Sequence, residues 1–234
     1  MKIALDIGHG IGNSKPGVYD PGAVGNGYQE HVIVRGMAYR LKADLEALGH
    51  SVLLTTGLLT SRDDTAKRWG AELLVSLHCN SHTTASATGV ECWIDTSAST
   101  RGKAVAASIT KRLAASIAIA NRGVKVKNFA VLRANPHDVL VEMFFISNAT
   151  DVRKYQANVN GHELAILNGI LEGLGQPIQG KLPRIGKQPV EAEYVEIRIH
   201  SAIIDKAEYK QLAKTLDDFC LVKPTTKDSW KGWQ

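Results

Sequence analysis

Four side chains in this sequence have the types and positions needed for metal-assisted acid–base chemistry. His9 follows the short apolar run 2–6, and His78 follows the apolar run 73–77. Glu142 lies inside the apolar segment VLVEMFF, and Glu30 opens an apolar helix after a long glycine-rich loop. Two imidazoles and one carboxylate leave a coordination position open, as catalytic zinc sites require. A metal held there lowers the pKa of its bound water to about 7. A second carboxylate, not itself a ligand, takes the water's proton and passes it to a leaving amine, a contribution of about 10²–10⁴-fold. Glu142 suits that role because Val139, Leu140, Val141, Phe144 and Phe145 are apolar neighbours. A carboxylate in such a strand is costly unless a cation compensates it.

The elements that must position these groups follow from the apolar pattern. Segment 2–6 reads as a buried strand entering the loop 10–29, which is rich in Gly, Pro, Asn and Asp. Loops of that length inside a domain are usually functional. Val34, Ala38, Leu41, Leu45 and Leu48 recur at helical spacing over 30–48, and Gly49 ends that helix. Strands are expected at Ser51–Thr55, 73–77, Val90–Ile94 and Val139–Phe145, and helices at 61–71, 101–119 and 161–174. Strands alternating with helices predict an α/β fold of three layers, α/β/α, around a mostly parallel twisted sheet. In such sheets ligands bind beyond the carboxyl ends of the strands. His9, His78 and Glu142 share that rim, and the long loop can return Glu30 to it.

Length and composition bound the rest. The chain has 234 residues, 44% of them hydrophobic and 22% charged, which excludes disordered, fibrous and coiled-coil classes. Its net charge of +5 suits an anionic surface without choosing among wall, membrane and nucleic acid. Three cysteines, Cys79, Cys92 and Cys220, include no CxxC pair, so a disulfide framework is not expected. The N-terminus MKIALDIGHG is too short in apolar residues for an export signal, and no later run reaches membrane-spanning length. Synthesis in the cytoplasm without a signal peptide, and no membrane insertion, are the expectations. The sequence divides into a domain over 1–175, a Gly-, Pro- and Lys-rich linker over 176–190, and a small segment over 191–234 with a strand at 194–200 and a helix at 206–219. That segment is too small for an independent core and is expected to dock or to target.

The order LDIGHG, DPGA, a Glu before an apolar helix, VSLHCNS, GVECWI and VLVEMFFISN resembles the zinc-dependent N-acetylmuramoyl-L-alanine amidases of the type 3 family over about 1–175. The resemblance implies a zinc ion (Zn2+) held by His9, Glu30 and His78, with Glu142 as the catalytic carboxylate and Asn80 at the substrate. It implies peptidoglycan as the partner, with cleavage between N-acetylmuramic acid and L-alanine in the cell wall or periplasm. Nucleic acid is not an expected partner. Two positions depart from the family pattern. Cys79 replaces a small residue, and Phe144 replaces a glycine and is expected to reshape the pocket wall. Some relatives insert an inhibitory helix ahead of the catalytic strand, and the stretch 123–136 is too short for one. An unbraked amidase without an export signal resembles a phage endolysin, reaching the wall through a separate membrane pore (a holin).

Other readings of these residues are weaker. A dinucleotide fold fails because Asn13 stands where the third glycine belongs. LDIGHG also resembles the phosphate turn of sugar kinases, but no later phosphate loop follows. Two histidines and a carboxylate match non-haem iron oxygenases too, and a metal assay separates the two. Zinc exopeptidases share the fold plan, and a wall-binding protein without catalysis has no use for an open metal site. His82 reads as solvated, and His31, His50, His162 and His200 as surface or capping residues. His137 reads as a loop residue and Arg133 as solvated. Trp230 and Trp233 could stack on sugars, although a terminal tail explains them equally.

Overall fold

A computed structural model describes residues 1–133, 135 and 137–183. Strand β1 (Lys2–Ile7) is buried at every position after Lys2, as expected of a strand covered on both faces. The loop that follows folds into two minimal hairpins. In the first, β2 (Gly10–Ile11) pairs with β3 (Tyr19–Asp20), and in the second, β4 (Val24–Gly25) pairs with β5 (Tyr28–Gln29). Helix α1 (Glu30–Ala47) then leads through β6 (Ser51–Thr55), α2 (Leu59–Trp69), β7 (Leu73–Asn80) and β8 (Val90–Ile94) to α3 (Thr100–Ser116). After it come β9 (Asn121–Val126), a 3-10 turn at Ala130–Leu132, β10 (Val139–Phe145), α4 (Ala149–Ala157) and α5 (Val159–Gly173).

The central sheet has six strands in the order β6-β1-β7-β10-β8-β9. β6, β1, β7 and β10 run parallel, β8 is antiparallel to β10, and β9 is parallel to β8. The expected three-layer α/β/α arrangement with a mostly parallel sheet is what the chain adopts. Side chains alternate between the two faces. Ile3, Leu5, Ile7, Val75, Leu77, Val139 and Val141 join the large core with residues of α1, α3 and α5. Ala4, Leu74 and Leu140 point the other way, into a smaller core closed by Ala66 of α2 and by Val131 and Leu132.

Two elements escape the sequence pattern. β9 reads NRGVKV, polar and glycine-broken, because it is the edge strand and buries no position fully. α4 is a nine-residue polar helix started by Asn148, whose side chain accepts from the Thr150 and Asp151 amides. β7 also runs three residues further than expected, so His78 lies within the strand. Asn168 and Gln179 exchange backbone and side-chain hydrogen bonds of 2.7 and 2.8 Å, tying the start of the expected linker to α5. Residues 184–190 of that linker and the whole segment 191–234 lie outside the described residues, with His200, Cys220, Trp230 and Trp233. Among the described residues no helix is long and apolar enough to cross a membrane.

Candidate metal centre

Strand alternation places the site on the smaller-core face. Leu74, Ser76 and His78 share that face of β7, while Cys79 points into the large core. On β10 the same face carries Leu140 and Glu142, and Glu142 is the register partner of His78. His9 leaves the end of β1 with φ +61, a left-handed conformation that non-glycine residues adopt at some cost. Arg62 of α2, almost fully buried, supports that turn by donating to the carbonyls of Ile7 and His9, both at 2.6 Å.

The loop 10–29 brings Glu30 back, as the expected chemistry requires. His9 Nε2 lies 3.1 Å from Glu30 Oε2, and His78 Nδ1 lies 2.8 Å from Glu30 Oε1. The two imidazole rings meet edge to face with centroids 5.0 Å apart. One ligand atom from each of His9, Glu30 and His78 falls within 4.8 Å of the others. Glu30 is further anchored by the amides of Ala23 and Cys79, at 2.8 and 3.0 Å. Close approach explains two glycines. A Cβ on Gly22 would sit 2.6 Å from His9 Cδ2 and 2.7 Å from Glu30 Oε2, and one on Gly8 would sit 2.6 Å from His78 Cε1.

The charges of these groups suit a cation between them. Burial by itself would push His9 down, but Glu30 and Asp20 outweigh it and hold its pKa at about 9. His78 is likewise raised, because Glu30 overcomes the effect of burial. Glu30 is buried, which would push it up, yet the two imidazoles pull it far below the ordinary carboxylate range. These nitrogen and oxygen donors fit zinc, and a metal would take the place of the protons they share. Glu142 is pushed up to about 7, chiefly by burial, with His78 opposing and Glu30 and Glu91 adding to the rise. Its Oε2 atom is buried with no hydrogen-bond partner among the described residues. An unpartnered buried carboxylate oxygen beside a cation-shaped donor set fits the metal and the proton-transfer role alike.

A carboxylate that sequence reasoning missed orients the first histidine. Asp20 Oδ2 lies 3.0 Å from His9 Nδ1 and 2.6 Å from Asn13 Nδ2, and its Oδ1 accepts from the Gly22 amide at 2.9 Å. With Nδ1–H donated to Asp20, Nε2 keeps its lone pair for a metal, a common outer arrangement at zinc histidines. The signal was present in the DPGA motif. A second missed carboxylate is Glu91, the antiparallel register partner of Glu142. It accepts from Asn80 Nδ2 at 3.0 Å and from Arg122 Nε and Lys125 Nζ, both at 2.6 Å. Burial raises Glu91, but Lys125 and Arg122 bring it below the ordinary value. Asn80 is thus held by Glu91 on one side and by the Ser81 amide on the other.

Several expectations need correction. Phe144 does not form a pocket wall. A register shift between Glu142 and Phe145 turns it into the large core, where it is fully buried and stacks on Tyr155 at 4.7 Å. His162 is not a surface residue but fully buried, with its pKa pushed down to about 3 by burial. His50 is buried, and His31 is half-buried, its Nδ1 lying 2.9 Å from the Gly8 carbonyl. Other positions need no correction: Cys79 is buried on the face opposite the site, its thiol raised by burial, and packs in the large core. His82 is exposed at a turn, and His137 lies 2.5 Å from Ser99, the N-cap of α3.

Comparison with known proteins agrees with this geometry. The family model described as N-acetylmuramoyl-L-alanine amidase (Amidase_3) matches residues 3–175. The N-acetylmuramoyl-L-alanine amidase LytC of Bacillus subtilis is 33% identical over 164 residues, covering 67% of this chain and 32% of LytC. The chain thus spans about a third of that relative. The sporulation-specific N-acetylmuramoyl-L-alanine amidase of the same organism is 33% identical over 184 residues, covering 75% of this chain and 68% of the relative. Among solved structures, the catalytic domain of CwlV from Bacillus (Paenibacillus) polymyxa superposes with a TM-score of 0.64 at 27% identity, covering 75% of this chain and 99% of that domain. The amidase AmiC2 of Nostoc punctiforme gives a TM-score of 0.63 at 30% identity, covering 75% and 98%. The matched span contains both histidines and both carboxylates that the fold has gathered at one rim, and the chain belongs to the N-acetylmuramoyl-L-alanine amidase (Amidase_3) family.

Proposed function

We propose that this protein is a zinc-dependent N-acetylmuramoyl-L-alanine amidase that hydrolyses the amide between N-acetylmuramic acid and L-alanine in peptidoglycan. The observation that carries the reading is the buried, unpartnered Oε2 of Glu142 on the strand beside the His9–Glu30–His78 cluster. Those three residues would hold zinc, which when bound supplies Lewis acidity and a water of lowered pKa. Glu142 accepts the proton of the attacking water and delivers it to the L-alanine nitrogen as the amide bond breaks. Its apolar surroundings keep its pKa near neutrality, where it serves first as base and then as acid. Asp20 keeps His9 in one tautomer, and Arg62 holds the turn that presents it. Asn80 is proposed to meet the substrate through the amide hydrogen not given to Glu91.

The test is Glu142→Gln. The variant is expected to retain metal stoichiometry while losing at least about 10²-fold in rate. A variant with full rate would remove Glu142 from the mechanism. Iron rather than zinc in the active purified protein would overturn the metal assignment.

A lysin role belongs to the same proposal. It is supported by the short path between β9 and β10, whose only helical element among the described residues is the three-residue turn Ala130–Leu132. Purified protein added to intact walls without any activator is expected to lyse them, as an unbraked site would. Access to the wall through a holin and a wall-targeting or docking role for residues 191–234 are proposals as well. A chain ending at Pro183 that binds insoluble wall as well as the full chain would rule out targeting.

A further inference from the structure

We propose that the wall formed by β8 and β9 beside the metal centre is a carboxylate-binding subsite for the stem peptide that follows L-alanine. The inference deepens the amidase reading and rests on it. Glu142, Glu91 and the cations that hold Glu91 form a continuous row across β10, β8 and β9. In the next row Leu140 pairs with Trp93, and Trp93 pairs with Lys125. Lys125 Nζ lies 5.1 Å from the Trp93 ring centroid, and Lys127 Nζ lies 4.6 Å from the Phe129 centroid. The Trp93 and Phe129 rings meet edge to face at 5.6 Å. The result is a half-buried aromatic floor flanked by two lysines, on the same sheet face as the metal-binding donors.

The charge on this wall exceeds what its own structure needs. Glu91 is the carboxylate that both Arg122 and Lys125 address, and one of those cations suffices to neutralise it. No carboxylate lies within ion-pair distance of Lys127 among the described residues. Three cations against one buried acid leave the wall positive beside a catalytic carboxylate. The spacing also fits. Neighbouring strands lie about 4.8 Å apart, so β9 stands roughly 10 Å from the strand of Glu142. An extended chain advances about 3.5 Å per residue, so the residue after L-alanine reaches that distance once its own side chain is added. A carboxylate carried by that residue would therefore stand against these cations.

The test compares two soluble probes, N-acetylmuramoyl-L-alanyl-D-glutamate and the same compound with both carboxylates converted to amides. The metal-loaded full chain is expected to favour the acid about fivefold or more in kcat/KM, chiefly through KM. Lys127→Ala and Lys125→Ala should each reduce that preference, and Lys127→Glu should reverse it. Lys127 is exposed at the end of an edge strand, so its variants leave the fold intact. Equal cleavage of both probes by the unaltered protein would overturn the subsite while leaving the amidase standing. A preference that survives all three substitutions would overturn the assignment to these lysines. Cleavage of neither probe, nor of peptidoglycan, would overturn the amidase reading beneath it.

Discussion

Glu142 and His78 are direct register partners on the neighbouring parallel strands β10 and β7. The carboxylate proposed to move the proton therefore sits on the strand next to that of His78, one strand spacing of about 4.8 Å away. Neither residue depends on a loop for its position. The register breaks immediately afterwards, and Phe145 pairs with Asn80 across the irregularity. That break lets β10 present Glu142 to one face and both Met143 and Phe144 to the other.

Phe144 accordingly governs stability rather than substrate choice. Phe144→Ala removes a fully buried ring packed between Tyr155 and His162. The expected loss is about 3–5 kcal/mol in urea-unfolding experiments, with KM unchanged in the fraction that remains folded. A changed KM with unaltered stability would return Phe144 to the pocket wall.

Asp20 should control metal affinity. Asp20→Ala leaves His9 Nδ1 without its acceptor and frees the ring to change tautomer and orientation. Zinc affinity, read by competition with a chromogenic chelator, is expected to fall about 10–100-fold. Retention of activity at saturating zinc would accompany that loss, since no reacting atom is removed. Unchanged affinity would show that the Asp20 contact has no bearing on the ligand.

Gly22→Ala should damage the same centre by a different route. The added methyl would lie within 2.7 Å of both His9 and Glu30, at a φ of +68 that disfavours alanine. Loss of zinc binding with a preserved circular dichroism spectrum is the expected outcome. Wild-type affinity would mean that the hairpin yields without disturbing the ligands.

Removing metal should change how stability depends on pH. His9 is raised from 6.5 to about 9, so its contribution to the metal-free fold is complete below pH 6.5 and is lost as pH rises to about 9. Glu142 is raised from 4.5 to about 7 and so also weakens the fold as pH rises through that interval. Glu30, lowered, has the opposite sign, and its contribution is lost only as pH falls below 4.5. Thermal unfolding of chelated protein should therefore show a midpoint that declines from pH 5 to 9. In the proposed reading zinc would replace the shared protons, and the decline should be shallower in its presence. Part of the slope will remain in both forms, because Asp138 is raised to about 7 by burial away from the metal-binding donors. Parallel slopes with and without metal would contradict the assignment of those protons to the site.

Much of this site was legible in the sequence because its groups sit in elements with unambiguous patterns. His78 and Glu142 interrupt apolar strands, and Glu30 begins an amphipathic helix. The residues that hold those groups were harder to see. Asp20 works through a two-residue hairpin inside a glycine-rich loop, where spacing carries no periodic signal. Glu91 reads as a polar interruption of a short strand, and only the pairing of β8 with β10 and β9 reveals that it faces Glu142 and two cations. Phe144 was misread because the family pattern, with a glycine at that position, carries no sign of the register break that turns this side chain into the large core. His162 looked like an ordinary helix residue, since burial on a helix depends on which neighbours close over it.

The most direct test is digestion of purified peptidoglycan by the full chain, with and without a metal chelator, scoring new alanine amino termini against new reducing sugars. The expected result is alanine termini alone, abolished by chelator and restored by added zinc. New reducing sugars, or alanine termini that persist in chelator, would contradict a zinc-dependent amidase.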